Sequence, residues 1–252
     1  LDIWTYSCIN CQRTFPYLKD WYAKYKDEGL EIVAVHTPEF AFEKVQANVQ
    51  KAVEGFNIQY PVVLDNDYST WNAYGNRYWP RKYLIDIDGY IIYDHIGEGG
   101  YEETEEAIQK ALQERSARLG LQVAMPQNIS GPVGAVIVDS SKVKSPEIYF
   151  GSDRNEYLAN GKSHVAGQQT FLLPSVIEPN NLYFVGNWNI TPEYAQNQGV
   201  ASVVFNYEAK NVYMAAGSVT DTEVEIYQDN VLIKKLIIGE EKLYTLINGN
   251  DY

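Results

Sequence analysis

The chain has 252 residues, 45% hydrophobic and 21% charged, a mixture that builds packed cores and excludes wholesale disorder. Its 33 acidic and 20 basic residues leave a net charge of −13, which disfavours a nucleic-acid partner because phosphate binding depends on basic patches. The acidity is spread, with 12 basic and 19 acidic residues up to Arg118 and 8 and 14 after it, so no acidic tail exists and this length predicts two domains.

The chain opens without Met inside the apolar run Leu1-Asp2-Ile3-Trp4 and stops at Asp251-Tyr252, and is expected to be an internal piece of a longer protein. Nowhere does it approach the roughly 18 consecutive apolar residues of a membrane span. Leu1–Trp4 is β-prone apart from Asp2, and Phe15, Leu18, Trp21, Tyr22 and Tyr25 then recur at helical spacing. Leu30–His36 predicts a strand, Phe42–Phe56 a helix ended by Gly55, and Pro61–Leu64 a short buried strand. Ser69 is placed to cap a helix over Ser69–Tyr74. Lys82–Asp86 and Tyr90–His95 read as strands joined by Asp88-Gly89, a strong hairpin signal. A last helix follows from Tyr101 to Arg118. This alternation predicts a mixed α/β sheet with helices on both faces over residues 1–118.

Residues 119–146 carry Pro126, Gly131, Pro132, Gly134 and Pro146 without helical period and read as a linker. Beyond it, Glu147–Phe150, Gln169–Leu173, Leu182–Trp188, Ala201–Tyr207, Asn211–Ala215, Glu223–Gln228 and Val231–Ile238 are short alternating runs separated by turns such as Asn160-Gly161 and Asp229-Asn230. They predict an all-β sandwich, jelly-roll-like, over 147–252 and truncated at its C-terminus.

The only two cysteines stand together as Cys8-Ile9-Asn10-Cys11. Two cysteines at this spacing cannot staple a small secreted fold, and a zinc site would need two further ligands; the bland alternative is a pair of buried thiols. They lie where the first strand ends and a helix begins. A helix N-terminus offers free N–H groups and partial positive charge that stabilise a thiolate. Cys8 is therefore expected to be exposed and to attack a substrate disulfide, with Cys11 one turn in to resolve the mixed disulfide. No metal and no cofactor other than a redox-active Cys8–Cys11 disulfide is expected.

The string Trp4-Thr5-Tyr6-Ser7-Cys8-Ile9-Asn10-Cys11 with Thr14, Phe15 and Pro16 resembles the thioredoxin-fold active site. More narrowly, it resembles the thioredoxin-like part of DipZ-type proteins, extracytoplasmic relatives of the cytochrome-c-maturation and DsbD reductases. His36-Thr37-Pro38-Glu39-Phe40-Ala41-Phe42-Glu43-Lys44, Leu64-Asp65-Asn66-Asp67 and Gly75-Asn76-Arg77-Tyr78-Trp79-Pro80 carry the likeness over about residues 1–115. The run from Asn180 to Ala195 resembles the carbohydrate-binding-module-like β-domain that follows in those proteins.

The resemblance implies that Pro80 is the cis-proline beside the redox pair, where the Trp79 backbone could pair with a substrate strand; a trans proline opening a strand is the alternative. It implies that Asp2 is a buried carboxylate beneath Cys11 that takes its proton during resolution, against an Asp at a frayed start. Trp4 is expected to pack and to face substrate, and Tyr6, Ser7, Ile9 and Asn10 to shape the surface around Cys8. Glu39 matches an acidic residue near the redox pair or is a solvated helix-start charge. Arg13 stabilises the thiolate or is simply solvated, and His36 reads as structural. Tyr149, Phe150, Tyr157, Trp188 and Tyr194 are candidates for stacking on sugar or for core packing.

The implied function is a thiol:disulfide oxidoreductase in the reducing direction. Electrons would come from a membrane dithiol donor, DsbD- or CcdA-like and in the same polypeptide, and pass to oxidised extracytoplasmic protein clients at the periplasmic or cell-envelope face. Two alternatives stay open: a peroxiredoxin-like thiol peroxidase, since Thr5 stands three before Cys8 although the expected proline is Leu1, and a glycan- or protein-binding module with a vestigial redox pair.

Overall fold

The computed structural model describes residues 1–122, 131–132 and 135–249; Pro126 and Gly134 of the expected linker lie outside them. β1 (Asp2–Trp4) is wholly buried and forms the middle of a five-stranded sheet ordered β3-β2-β1-β4-β5. β2 (Ala34–His36) pairs parallel with β1, and β3 (Val62–Leu64) parallel with β2. β4 (Arg81–Ile85) lies antiparallel to β1 and β5 (Ile91–Ile96) antiparallel to β4. The helices are α1 (Ile9–Tyr25), α2 (Gln46–Gly55), α3 (Ser69–Ala73) and α4 (Tyr101–Leu119).

Side chains alternate across a strand, and the cores follow that period. Trp4 and Ala34 pack with Phe15, Leu18, Trp21 and Tyr25 of α1, Val49 of α2, and Ile108 and Leu112 of α4. Ile3, Val35 and Tyr83 point to the other face and pack with Trp71 of α3. The first half is thus the expected thioredoxin-like sheet covered on both faces.

Local differences have local causes. Asp2 N–H donates to the Val33 carbonyl as the last bond on that side of β1, so β2 is shorter than the run from Leu30 suggests. β3 is an edge strand, with Val63 45% and Leu64 40% exposed, not a buried one. The helix expected over Phe42–Phe56 is broken into a 3-10 turn (Ala41–Lys44) and α2 by an extended Val45, because the turn tightens around the inward-facing Glu43. α3 is capped by Asp65 rather than Ser69: its carboxylate accepts from Thr70 N–H, Trp71 N–H and the Ser69 hydroxyl at 2.8, 2.9 and 3.2 Å. The hairpin turn forms as read, with Gly89 at φ 89°, a conformation open to glycine.

The C-terminal half is built of antiparallel strands. β6 (Gly167–Phe171), β7 (Leu182–Ile190), β8 (Ala195–Asn197) and β9 (Ser202–Phe205) form one sheet; β10 (Asn211–Ala216) pairs β13 (Lys242–Asn248), and β11 (Thr222–Gln228) pairs β12 (Val231–Ile238). Asp229 and Asn230 both take positive φ, 49° and 65°, as a two-residue hairpin turn requires. Glu147–Phe150 is not a strand; Ile148 and Phe150 instead pack as loop residues on the core of Leu158, Phe171, Leu182, Phe184, Trp188 and Ile190. Phe150 and Trp188 are therefore core residues and not a sugar platform.

The chain divides into two compact units, one of Leu1–Ile137 with Tyr213–Tyr244 and one of Val138–Val212 with Thr245–Tyr252. No helix among the described residues is long and apolar enough to cross a membrane.

Candidate active site

The chain leaves β1 through a tight turn in which Cys8 N–H reaches the Thr5 carbonyl at 3.4 Å, and Cys8 becomes the N-cap of α1 in extended conformation. Its Sγ accepts from Cys11 N–H at 3.4 Å, so the sulfur itself satisfies one of the orphan donors of the first turn. Both cysteines are thiols here, Cys8 half-buried and Cys11 buried. Burial pushes the Cys11 thiol up, and the neighbouring Cys8 adds to that.

Asp2 is 2% exposed, with neither carboxylate oxygen hydrogen-bonded among the described residues. Burial raises its carboxyl to about 6, against the pull of Lys82. Such a group can accept a proton near neutral pH. The Trp79–Pro80 peptide is cis. Trp79 is fixed by its indole N–H to the Thr37 carbonyl at 2.9 Å and by its ring 4.2 Å from that of Trp71. Trp79 and Cys8 both lie against the core of Trp4 and Phe15.

Three expectations about the rim are corrected: Ser7 is 5% exposed and turns its hydroxyl onto Glu43, and Trp4 and Tyr6 are also inside. Trp4 is fully buried, edge-on to Phe15 and His36, so it packs and cannot touch substrate. Tyr6 is also buried, stacked on His36 with centroids 5.7 Å apart and donating its hydroxyl to the Glu241 carbonyl at 3.1 Å. The half-buried residues beside Cys8 are Ile9 and Asn10. Arg13 spans Asn10 Oδ1 at 3.4 Å and Glu98 at 3.1 Å, which pairs its charge with a carboxylate. His36 is buried and held neutral, its imidazole pushed down to about 4 by desolvation, in keeping with a structural role.

The sequence reading missed Glu43. This carboxylate, fully buried, accepts from Ser7 N–H and the Ser7 hydroxyl at 3.2 and 2.7 Å through Oε1, and from Glu39 and Phe40 N–H at 2.6 and 3.0 Å through Oε2. It ties the residue before Cys8 to the loop after β2. Glu39, chosen in its place, contributes a backbone donor to that clamp. The available signal was a carboxylate inside the apolar string Phe40-Ala41-Phe42-Glu43, where a solvated charge has little reason to sit.

Residues 1–112 match the redoxin family, and residues 145–252 match a thioredoxin-like C-terminal domain. DipZ of Mycobacterium tuberculosis is 38% identical over 218 residues, 86% of this chain and 30% of DipZ. The chain is a homologue of DipZ. It spans about 30% of the length of the DipZ relatives it matches. The thiol-disulfide oxidoreductase ResA of Bacillus cereus is 32% identical over 110 residues, 44% of this chain and 61% of ResA. Among solved structures, StoA of Bacillus subtilis aligns at 23% identity with a TM-score of 0.37, over 42% of this chain and 77% of StoA. Cys8, Cys11, Asp2, Glu43 and Pro80 all fall in the part of this DipZ homologue that matches the redoxin family.

Proposed function

We propose that the protein is a thiol:disulfide oxidoreductase of the DipZ and ResA type that reduces disulfides of extracytoplasmic proteins. The observation that carries this reading is the arrangement of Cys8 as a half-buried N-cap sulfur, with Cys11 buried one turn in and hydrogen-bonded to it through its backbone. Cys8 thiolate attacks one sulfur of a client disulfide, and the S–S electron pair leaves on the other client sulfur, which takes up a proton. Cys11, deprotonated to Asp2, attacks Cys8 Sγ of the mixed disulfide; the client's second sulfur departs and is protonated, and a Cys8–Cys11 bond forms. A membrane dithiol donor then reduces that bond and becomes a disulfide itself. The half-buried Trp79, Ile9 and Asn10 offer the surface that receives the client strand, with the buried cis-Pro80 setting the course of the Trp79 backbone. Homology to ResA and DipZ supports this class of chemistry, and nothing in the mechanism calls for a metal or an organic cofactor.

The test is the potential of the Cys8/Cys11 couple, equilibrated against glutathione or dithiothreitol buffers, with insulin reduction as the activity readout. A value near about −270 mV with insulin turnover lost in Cys8→Ser supports a reductase; one near about −120 mV makes it an oxidant and reverses the direction. Rapid peroxide consumption without disulfide reduction would replace the reading with a thiol peroxidase.

A further inference from the structure

β4 sets Lys82 directly opposite Asp2 in the antiparallel register with β1, and residues so paired send their side chains to the same face of the sheet. That face is the one covered by α1 and α4, where Cys11 is buried. Lys82 is 5% exposed, unusual for a lysine without an anionic partner. Its Nζ donates to the Gly97 carbonyl at 3.2 Å and lies 5.9 Å from the centre of the Tyr101 ring. One carbonyl does not compensate a buried ammonium. The anionic groups that act on it are Asp2, Cys11 and Glu98, and Glu98 is itself bound by Arg13. Around Asp2, the other titratable side chains are the Tyr60 hydroxyl and Cys11. A buried carboxylate with two unpartnered oxygens thus shares its face of the sheet with one buried cation.

We propose that Lys82 is a positioning residue of the resolving step: its ammonium is the common counter-ion of the Asp2 carboxylate and of the Cys11 thiolate. The inference rests on the dithiol-exchange reading above. Before proton transfer the face holds carboxylate, ammonium and thiol; afterwards it holds carboxylic acid, ammonium and thiolate. The proton leaves Cys11 Sγ for an Asp2 oxygen, and the total buried charge stays constant. The thiolate then attacks Cys8 Sγ, the Cys8–client bond breaks, the electron pair leaves on the client sulfur, and that sulfur takes a proton from solvent. Two protein thiols become one disulfide and the client disulfide becomes two thiols. Without the ammonium, Asp2 would remain protonated at neutral pH and could not accept the proton.

The experiment compares the full chain with its Lys82→Met and Lys82→Arg variants. Carbon-13 NMR follows the titration of Asp2 Cγ and Cys11 Cβ, and stopped-flow follows attack by Cys8 on a disulfide-bonded peptide and decay of the mixed disulfide. In Lys82→Met the Asp2 midpoint is expected to rise by about one pH unit or more and the Cys11 midpoint to rise with it. Resolution should slow about tenfold at pH 7 while attack by Cys8 stays within about twofold, and Lys82→Arg should restore most of both. An unmoved Asp2 midpoint overturns the proposal, as does equal slowing of both steps. If Lys82→Met does not fold, Asp2→Asn with Lys82→Met is compared with Asp2→Asn alone: loss of the remaining counter-ion of the Cys11 thiolate should raise the Cys11 midpoint and slow resolution several-fold further, and an unchanged midpoint and rate would overturn the proposal. A wild-type protein that reduces no disulfide would instead defeat the oxidoreductase reading, and the titration would still decide whether Lys82 serves Asp2.

Discussion

At the scale of single residues, Asp2 and His36 show how the site trades stability against chemistry. Burial raises Asp2 to about 6 and lowers His36 to about 4, and the two push stability in opposite directions with pH. A carboxyl raised above its unfolded value imposes no penalty below about pH 4 and a full one above about pH 6, worth about 3 kcal/mol. A lowered histidine imposes none above about pH 6.5 and a comparable one below about pH 4. Between these limits the two slopes oppose each other. Asp2→Asn should therefore stabilise the protein by up to about 3 kcal/mol at pH 7 and by almost nothing at pH 3.5. The variant's stability should climb from pH 4 to 6.5 as the His36 slope is unmasked. Urea unfolding across that range measures it; a gain independent of pH would mean Asp2 is not desolvated in the native state. The same substitution should slow resolution of the mixed disulfide, the usual cost of stabilising a functional site.

At the scale of elements, the reading from sequence succeeded where a periodic run coincided with a buried face. β1, α1, the β4–β5 hairpin and α4 lie within two residues of expectation, because Trp4, Phe15, Leu18 and Trp21, and Ile108 with Leu112, mark their inward faces. It failed where a long-range carboxylate governs local geometry. Besides their local donors, Asp65 accepts from the distant Thr37 hydroxyl at 3.0 Å and Glu43 from the two Ser7 donors at 3.2 and 2.7 Å, and no local propensity records such bonds. The pairing of Asp2 with Lys82 likewise exists only once β1 and β4 are in register. Asp65 offers a sharp test. Asp65→Ala leaves the Thr70 and Trp71 N–H groups of α3 without an acceptor and should cost roughly 3 kcal/mol, seen as a lower urea midpoint at constant m. Because Trp71 carries the ring against which Trp79 rests, client KM should rise more than kcat falls. An unchanged KM would show that α3 does not position the Trp79–Pro80 loop.

At the scale of the whole molecule, the linear order of the sequence is a poor guide to its compact units. The regular turn spacing after residue 147 suggested one continuous β-domain, and the family match to the C-terminal half runs over 145–252, yet Tyr213–Tyr244 forms one compact unit with Leu1–Ile137. Among the described residues, specific contacts tie this segment in. Tyr6 donates to the Glu241 carbonyl at 3.1 Å, Asn48 to the Glu241 carboxylate at 3.4 Å, Lys51 pairs with Glu240 at 3.2 Å, and the Arg13 guanidinium lies 5.6 Å from the centre of the Tyr213 ring. Tyr6 and Arg13 stand two residues before Cys8 and two after Cys11 in the chain. The exposed Lys51–Glu240 and Asn48–Glu241 contacts contribute about 0–1 kcal/mol each, and the Tyr6 hydrogen bond and Arg13–Tyr213 contact about 0.5–1.5 kcal/mol each. A chain ending at Ile137 should therefore lose only a few kcal/mol of stability. If contacts with Tyr6 and Arg13 restrict access to the redox pair, its Cys8 should react several-fold faster with a bulky maleimide while its rate with iodoacetamide stays unchanged. Equal acceleration with both reagents would point to general loosening of the redox unit. No acceleration with either would show that Tyr213–Tyr244 does not restrict what reaches Cys8, and client selection would then rest on Ile9, Asn10, Trp79 and Pro80 alone.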